Sequence, residues 1–193
     1  MTRPRGRPAT GAGVARDDIL TTALALLDEG GGQGLTMRAL AARLGVTPMS
    51  LYHHVGDQVG LLRALSDRVY AEVLEGPRGP ADPRADILAL LIRYHQAVGR
   101  HPQLTLAIFA MPEAFAGVTR QITDRLTTLL TELTAEPILW RDILVDHAHG
   151  SGLSLASARG DRMQVQVMLE QYQQALDRLL GRLFSARRTD AGF

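Results

Sequence analysis

Apolar residues recur every three or four positions along most of the chain and show no sustained alternation in twos, so the pattern predicts helices and no strands. Asp17 or Asp18 caps a first helix running to about Glu29, with Ile19, Leu20, Ala23, Leu26 and Leu27 on its inner face. The stretch Gly30-Gly31-Gly32-Gln33-Gly34 ends it. Thr36 is a good N-cap, and Met37, Leu40, Ala41 and Leu44 repeat at helical spacing behind it until Gly45, which accepts the left-handed conformation of a C-cap. Thr47 caps the next helix and Pro48 takes its first position, where a missing N–H costs nothing. Met49, Tyr52 and Val55 are expected to pack inward, with Ser50, His53 and His54 facing outward or sideways. Asp57 caps a longer helix from about Gln58 to Glu75 that buries Leu61, Leu62, Leu65 and Val69.

Gly76-Pro77-Arg78-Gly79-Pro80 breaks the pattern and marks a domain boundary, with one domain at 16–76 and a second at 82–187. In the second, Asp82 and Pro83 start a helix to about Gly99, with Ile87, Leu90, Leu91, Tyr94 and Val98 on one face. A short helix is expected around Leu104–Ala110. A longer one follows from about Glu113 to Leu133, carrying Phe115, Val118, Ile122, Leu126, Leu129 and Leu133. Pro137 opens a helix to about Ala158, and a last helix runs from about Arg162 to Arg187. An all-α, two-domain architecture follows, with no internal repeat.

Two short helices joined by a glycine turn make a helix-turn-helix, whose second helix enters a DNA major groove; an ordinary helical hairpin in an all-α core has the same pattern. The run Leu35-Thr36-Met37-Arg38-Ala39-Leu40-Ala41-Ala42-Arg43-Leu44-Gly45-Val46, then Leu51-Tyr52-His53-His54-Val55 and Leu61-Leu62-Arg63-Ala64-Leu65, resembles the N-terminal domain of the TetR family of repressors. The motif covers about a quarter of the chain; the remainder matches in length and helical character alone. The resemblance implies a three-helix DNA-binding domain followed by a helical ligand-binding and dimerisation domain. It also implies a repressor that binds a palindromic operator as a dimer and releases it on binding a small molecule. The alternative is a DNA-binding regulator or architectural protein with no small-molecule effector.

Residue chemistry assigns the expected DNA contacts. Arg38, in the first turn of the first motif helix, reaches a guanine edge bidentately or a phosphate; the resemblance favours the base contact. Thr36 and Thr47 meet phosphates through hydroxyls and N-terminal amides. Pro48, Met49 and Ser50 lead the recognition helix toward base edges, with Met49 suited to a thymine methyl. Tyr52 and His53 point to backbone or bases, and His54 to a phosphate; Tyr52 also fits a core position. Where the family carries a phosphate-binding lysine after the recognition helix, this chain has Gln58, an amide that donates but releases no counterion. Residues 1–15 show no apolar periodicity and are expected to be a disordered basic arm. Its Pro4-Arg5-Gly6-Arg7-Pro8 resembles an AT-hook core, with Arg5 and Arg7 drawn to the negative potential of a narrow minor groove.

Composition narrows the rest. Net charge is +1, so nucleic-acid contact must come from a local patch, and every one of the 21 basic residues is arginine. Absence of cysteine excludes disulfides and thiolate chemistry. No apolar run reaches a membrane-spanning length and no apolar segment follows the N-terminal arginines, so a soluble cytoplasmic protein is expected. Enzyme readings fail: Gly152-Leu153-Ser154-Leu155-Ala156 lacks the final glycine and preceding strand of a nucleophile elbow, and no lysine is available for a phosphate loop. His147 and His149, two apart on a helix, diverge by roughly 200° and cannot clamp a metal alone. No cofactor or metal is expected.

The second half offers two further features. Val165, Leu169, Tyr172, Leu176, Leu179 and Leu183 alternate spacings of four and three, the seam of helix-on-helix packing. The preceding helix is rich in small residues from Gly150 to Ala158, which allow another helix backbone to come close. A homodimer through the last two helices satisfies both, as does packing within one subunit; the resemblance favours the dimer. Tyr94, His95, His101, Phe109, Met111, Phe115, Trp140 and His147 concentrate aromatic and polarizable groups in the middle segments, a lining suited to an unidentified small-molecule effector.

Overall fold

The computed structural model describes residues 14–30, 34–76, 82–158 and 160–190, with side chains in the last stretch to residue 183. The described residues are helical throughout their regular structure: α1 (Arg16–Gly30), α2 (Met37–Leu44), α3 (Pro48–Val55), α4 (Gln58–Leu74), α5 (Pro83–Arg100), α6 (Pro102–Ala110), α7 (Val118–Thr131), α8 (Pro137–Ser154) and α9 (Arg162–Asp190). Helices α1 and α3 pack on α4 with α2 held against them, α5, α6 and α7 pack on α4 as well, and α8 and α9 lie beyond, against α5.

The helix α4 is shared between both groups because it is apolar on most of its circumference. Leu61, Leu62 and Leu65 are buried beside α1 and α3, while Tyr70 and Val73 are buried further along. Polar groups tie it in as well. Arg63 donates to the Glu113 carbonyl through Nε and one Nη, at 3.0 and 2.7 Å, and Arg68 donates to the Asp17 carbonyl at 3.1 Å. The Tyr70 hydroxyl shares a buried 2.7 Å hydrogen bond with Thr105 of α6. Glu72 pairs with Arg100 of α5, and Arg93 of α5 donates to the Val73 carbonyl, one of the orphan acceptors at the helix C-terminus.

The expected helix from Glu113 to Leu133 is instead a 3-10 turn at Pro112–Ala114, a short link, and then α7 from Val118. Gly117 sits at φ 57°, ψ −128°, a left-handed conformation that interrupts the helix. Its side provides no cap, so the Val118 N–H donates to Asp67 of α4 at 2.9 Å. Asp67 therefore caps a helix that begins 51 residues further along. Phe115 falls off the predicted seam and is exposed. The expected helix through Ala158 likewise ends at Ser154 and tightens into a 3-10 turn at Leu155–Ala158.

The buried stripe of α9 is Tyr172, Leu176, Leu180 and Leu183, with Val165, Leu169 and Leu179 half-buried beside it. Tyr172 donates to the Leu91 carbonyl of α5 at 3.2 Å, so this seam packs inside the subunit. The small residues of α8 divide into two kinds. A Cβ on Gly152 would lie 2.8 Å from Val98 Cγ1 and 3.1 Å from the His95 carbonyl, so that glycine admits α5 of its own chain. A Cβ on Gly150 would meet nothing within 4 Å.

Candidate functional site

The helix-turn-helix is built from local capping. Thr36 Oγ1 accepts from the Ala39 N–H at 3.0 Å, which starts α2. Gly45 at φ 67°, ψ 28° ends it, and the Val46 N–H returns to the Ala41 carbonyl at 3.0 Å, closing a Schellman-type turn. Thr47 Oγ1 then accepts from Ser50 N–H at 3.3 Å with Pro48 in the first turn of α3. Asp57 accepts from Gly60 N–H at 2.8 Å and begins α4. The turn between α2 and α3 leaves no room for drift, because every helix end in it is satisfied by a side chain or a glycine.

Two expected core residues face outward. Met49 is 64% exposed and Tyr52 45% exposed, whereas Leu51 and Val55 are buried and Ser50 is half-buried. The physical reason is that Leu51 and Val55, four apart, fix the inner face, and Met49 lies roughly 200° away from Leu51 around the helix. Of the expected set, Val55 alone packs inward as read. The outer face of the motif thus presents Thr36, Arg38, Thr47, Pro48, Met49, Tyr52, His53 and His54, all exposed. The two threonine oxygens accept from their own helices, which leaves each hydroxyl proton free to donate outward. Arg43, on α2, is held in an ion pair with Glu29 of α1.

Gln58, expected to donate to a phosphate, spends its amide within the protein. Its Nε2 donates to the Leu35 carbonyl at 3.2 Å and the side chain is half-buried, so the amide staples the start of α4 to the connection before α2. Arg5 and Arg7 lie outside the described residues.

In the second half, the residues expected to line an effector site separate into groups. Tyr94 and His95 on α5 meet α8 and α9. The Tyr94 hydroxyl is 2.5 Å from His149 Nε2, and His95 Nε2 is 3.0 Å from Ser151 Oγ. His95 is fully buried and stacks on Tyr172 at 3.8 Å and 7°, while His147 approaches the same tyrosine at 5.1 Å. Phe109, half exposed, sets its ring edge-on to His149 at 4.8 Å. His95 Nδ1 and His147 Nε2 are buried with no hydrogen-bond partner. Burial lowers the pKa of all three imidazoles, that of His95 to about 4, and raises those of Tyr94 and Tyr172, so the cluster is uncharged at neutral pH.

The other expected members are elsewhere. His101 lies 3.8 Å from Asp28 of α1 and belongs to the contact between the two halves. Met111 lines a cleft between α1, α4 and α6, and Phe115 is exposed on the link before α7. Trp140 is half-buried against the core in the first turn of α8, on the same face as His147 two turns later. His149 and Ser151 are the members that sequence reasoning missed. Their signal was the spacing from His147, which places His149 beside α5 and α6 rather than beside a shared metal. A second groove of about 420 Å³ runs between α5 and α9 beside Gln96, Gly99 and Leu155. Among the described residues no three histidines or carboxylates gather as a metal-holding group, and no helix is long and apolar enough to cross a membrane.

Residues 19–65 match the family model described as bacterial regulatory proteins, tetR family. An HTH-type transcriptional regulator of Saccharopolyspora erythraea is 36% identical over 101 residues, which cover 52% of this chain and 42% of that protein. The tetracycline repressor protein class E of Escherichia coli is 39% identical over 61 residues, covering 32% of this chain and 29% of the repressor. The matched stretches span less than half the length of either relative. Among solved structures, Mycobacterium smegmatis BioQ superposes with a TM-score of 0.73 at 22% identity, covering 89% of this chain and 98% of that one. BioQ with its double-stranded DNA operator gives 0.67 at 22% identity over 89% and 98% of the two chains. The Streptomyces coelicolor TetR family protein ActR in complex with actinorhodin gives 0.69 at 21% identity over 91% and 99%.

Proposed function

Because this chain belongs to the TetR family of bacterial regulatory proteins, we propose that it is a homodimeric transcriptional repressor that leaves a palindromic operator when a small molecule binds. The observation that carries the reading is the outward face of α2 and α3. Met49 and Tyr52 of α3 are large groups held in solvent, as is Arg38 of α2, where a folded domain gains nothing from them; a DNA groove supplies the missing partner. The BioQ complex with its operator supports DNA as that partner, and the ActR complex with actinorhodin supports a small-molecule effector.

In this reading Thr36 and Thr47 donate to phosphates, Pro48 and Ser50 set the depth of the recognition helix, and His53 and His54 flank the backbone. Gln58 acts indirectly, by fixing α4 against the α1–α2 connection, so the phosphate electrostatics fall to Arg38 and to Arg5 and Arg7 of the arm. The effector site is the Tyr94–His95–His147–His149 cluster with Phe109 and Trp140 beside it. Two orphan imidazole nitrogens there are available to hydrogen-bond a ligand.

The test is selection of bound duplexes from a random pool, followed by anisotropy on the recovered site and its single-base variants. A two-fold symmetric site is expected, and Arg38→Ala should cost about 1–3 kcal/mol and relax preference at one base pair per half-site. Recovery of no shared sequence overturns the reading. A uniform loss across variants makes Arg38 a phosphate contact instead.

A further inference from the structure

A cleft of about 280 Å³ opens where α1, α4 and α6 meet, away from the Tyr94–His95 cluster. Its floor is Leu27 of α1, Leu35 before α2 and Leu62 of α4, all essentially fully buried and therefore fixed in place. Ala107 of α6 narrows it, and the exposed Leu106 and Ala110 form the rim. Two polar groups project among these carbons, the half-buried amides of Gln58 and of Gln103 on α6. The Gln58 amide spends one N–H on the Leu35 carbonyl, and its Oε1 accepts from no described residue.

A preformed, mostly apolar slot edged by two amides limits its ligand. The volume lies at the small end of the range for organic ligands, which admits a single ring or a short branched chain. The apolar surface of Leu106, Ala110 and Met111 rewards an apolar body, and the free Gln58 Oε1 rewards a hydroxyl donor directed at it; an anion finds no cation there. We propose that this cleft is a second small-molecule site, for a compact phenol or aliphatic alcohol whose body rests against Leu106, Ala110 and Met111 and whose hydroxyl donates to Gln58.

The position gives such a ligand a lever. Two walls belong to the helices that hold the reading head and the third to α6, so an occupant sets the spacing between the two halves. Gln58 is also the residue that fixes the start of α4, and a ligand bound to its carbonyl stiffens that staple. The consequence for DNA rests on the repressor reading; the site itself does not.

The probe is 4-(trifluoromethyl)phenol, titrated into the full chain and read by fluorine NMR. Saturable broadening and shift are expected, with Kd raised at least tenfold by Ala110→Phe, which fills the rim from an exposed position and leaves the core untouched. Ala107→Phe should do the same, with circular dichroism confirming that each variant is folded. Gln58→Met should weaken the phenol and leave (trifluoromethyl)benzene unchanged, whereas Tyr94→Phe should leave both unchanged. Absence of saturation in the unaltered protein, undiminished binding in folded Ala110→Phe, or loss of binding in Tyr94→Phe overturns the proposal. Operator anisotropy is measured in parallel. Failure of the unliganded protein to bind any selected duplex removes the repressor reading and leaves the cleft's binding data standing.

Discussion

Gly150→Ala separates a helix face in solvent from one that meets a second subunit. Gly150 lies on the exposed side of α8, in line with Leu139 and Ile143, which are 52% and 40% exposed, and an added Cβ meets nothing within 4 Å. Were that face in water, the methyl would stabilise each chain by about 0.8–1 kcal/mol, the helix-propensity gain over glycine, and self-association would not change. If α8 packs on its symmetry mate there, the gain in propensity appears in both free and paired chains and cancels from the dissociation constant. What remains is overpacking of a close helix contact, about 1–3 kcal/mol per methyl. An isologous interface contains the position twice, so the smallest total is about 2 kcal/mol, or about 30-fold in Kd. Sedimentation across a dilution series measures that directly. Gly152→Ala is the control: its Cβ would strike Val98 of its own chain, so it should lower stability irrespective of association. A Gly150→Ala protein with a raised thermal midpoint and an unchanged dissociation constant would refute the dimer through α8.

Gly60→Ala should destabilise the reading head by about 2 kcal/mol or more despite its better helix propensity, because its Cβ would lie 2.1 Å from the Val55 carbonyl oxygen and neither atom can rotate away. Urea midpoints check this, and an unchanged midpoint contradicts the close approach of α3 to α4. Stability should also fall as pH drops from about 6.5 toward 4, since His95 binds its proton less readily folded than unfolded and the unfolded chain then takes up more protons. The fall attributable to His95 is at most about 3 kcal/mol, with His147 and His149 adding in the same direction, and midpoints that are flat from pH 7 to 5 exclude it. For the proposed effector, saturating operator must weaken ligand binding by the factor by which ligand weakens operator binding, read from Trp140 fluorescence; equal ligand affinities with and without operator leave DNA binding uncontrolled by that ligand.

The parts of the fold that could be read from the chain are those decided by neighbours in sequence. Thr36, Gly45, Thr47, Pro48 and Asp57 act within four residues of themselves, and each occupies its expected place. The start of α7 was not legible, because its cap is Asp67, which no local window contains. Met49 and Tyr52 read both as inward residues and as DNA-facing ones, because an eight-residue helix offers too few apolar positions to choose between two faces; buried Leu51 decides it for the outward face. The small residues of α8 gave one signal with two causes, and only the placement of Val98 tells Gly152 from Gly150. Residue type alone grouped His101 with the effector cluster, whereas its position at the end of α5 turns it to Asp28.

The way α4 is shared bears on portability. A designer wishing to move this helix-turn-helix onto another regulator would cut at Gly76, just past the end of α4. Such a cut carries away Asp67, Tyr70 and Glu72, and with them the cap of α7 and the partners of Thr105 and Arg100. The graft would also arrive with α4 still shaped to the helices it left behind. A working chimera must therefore divide α4 lengthwise by residue, taking Leu61, Leu62 and Leu65 from the head donor and the α7-facing and α5-facing positions from the recipient.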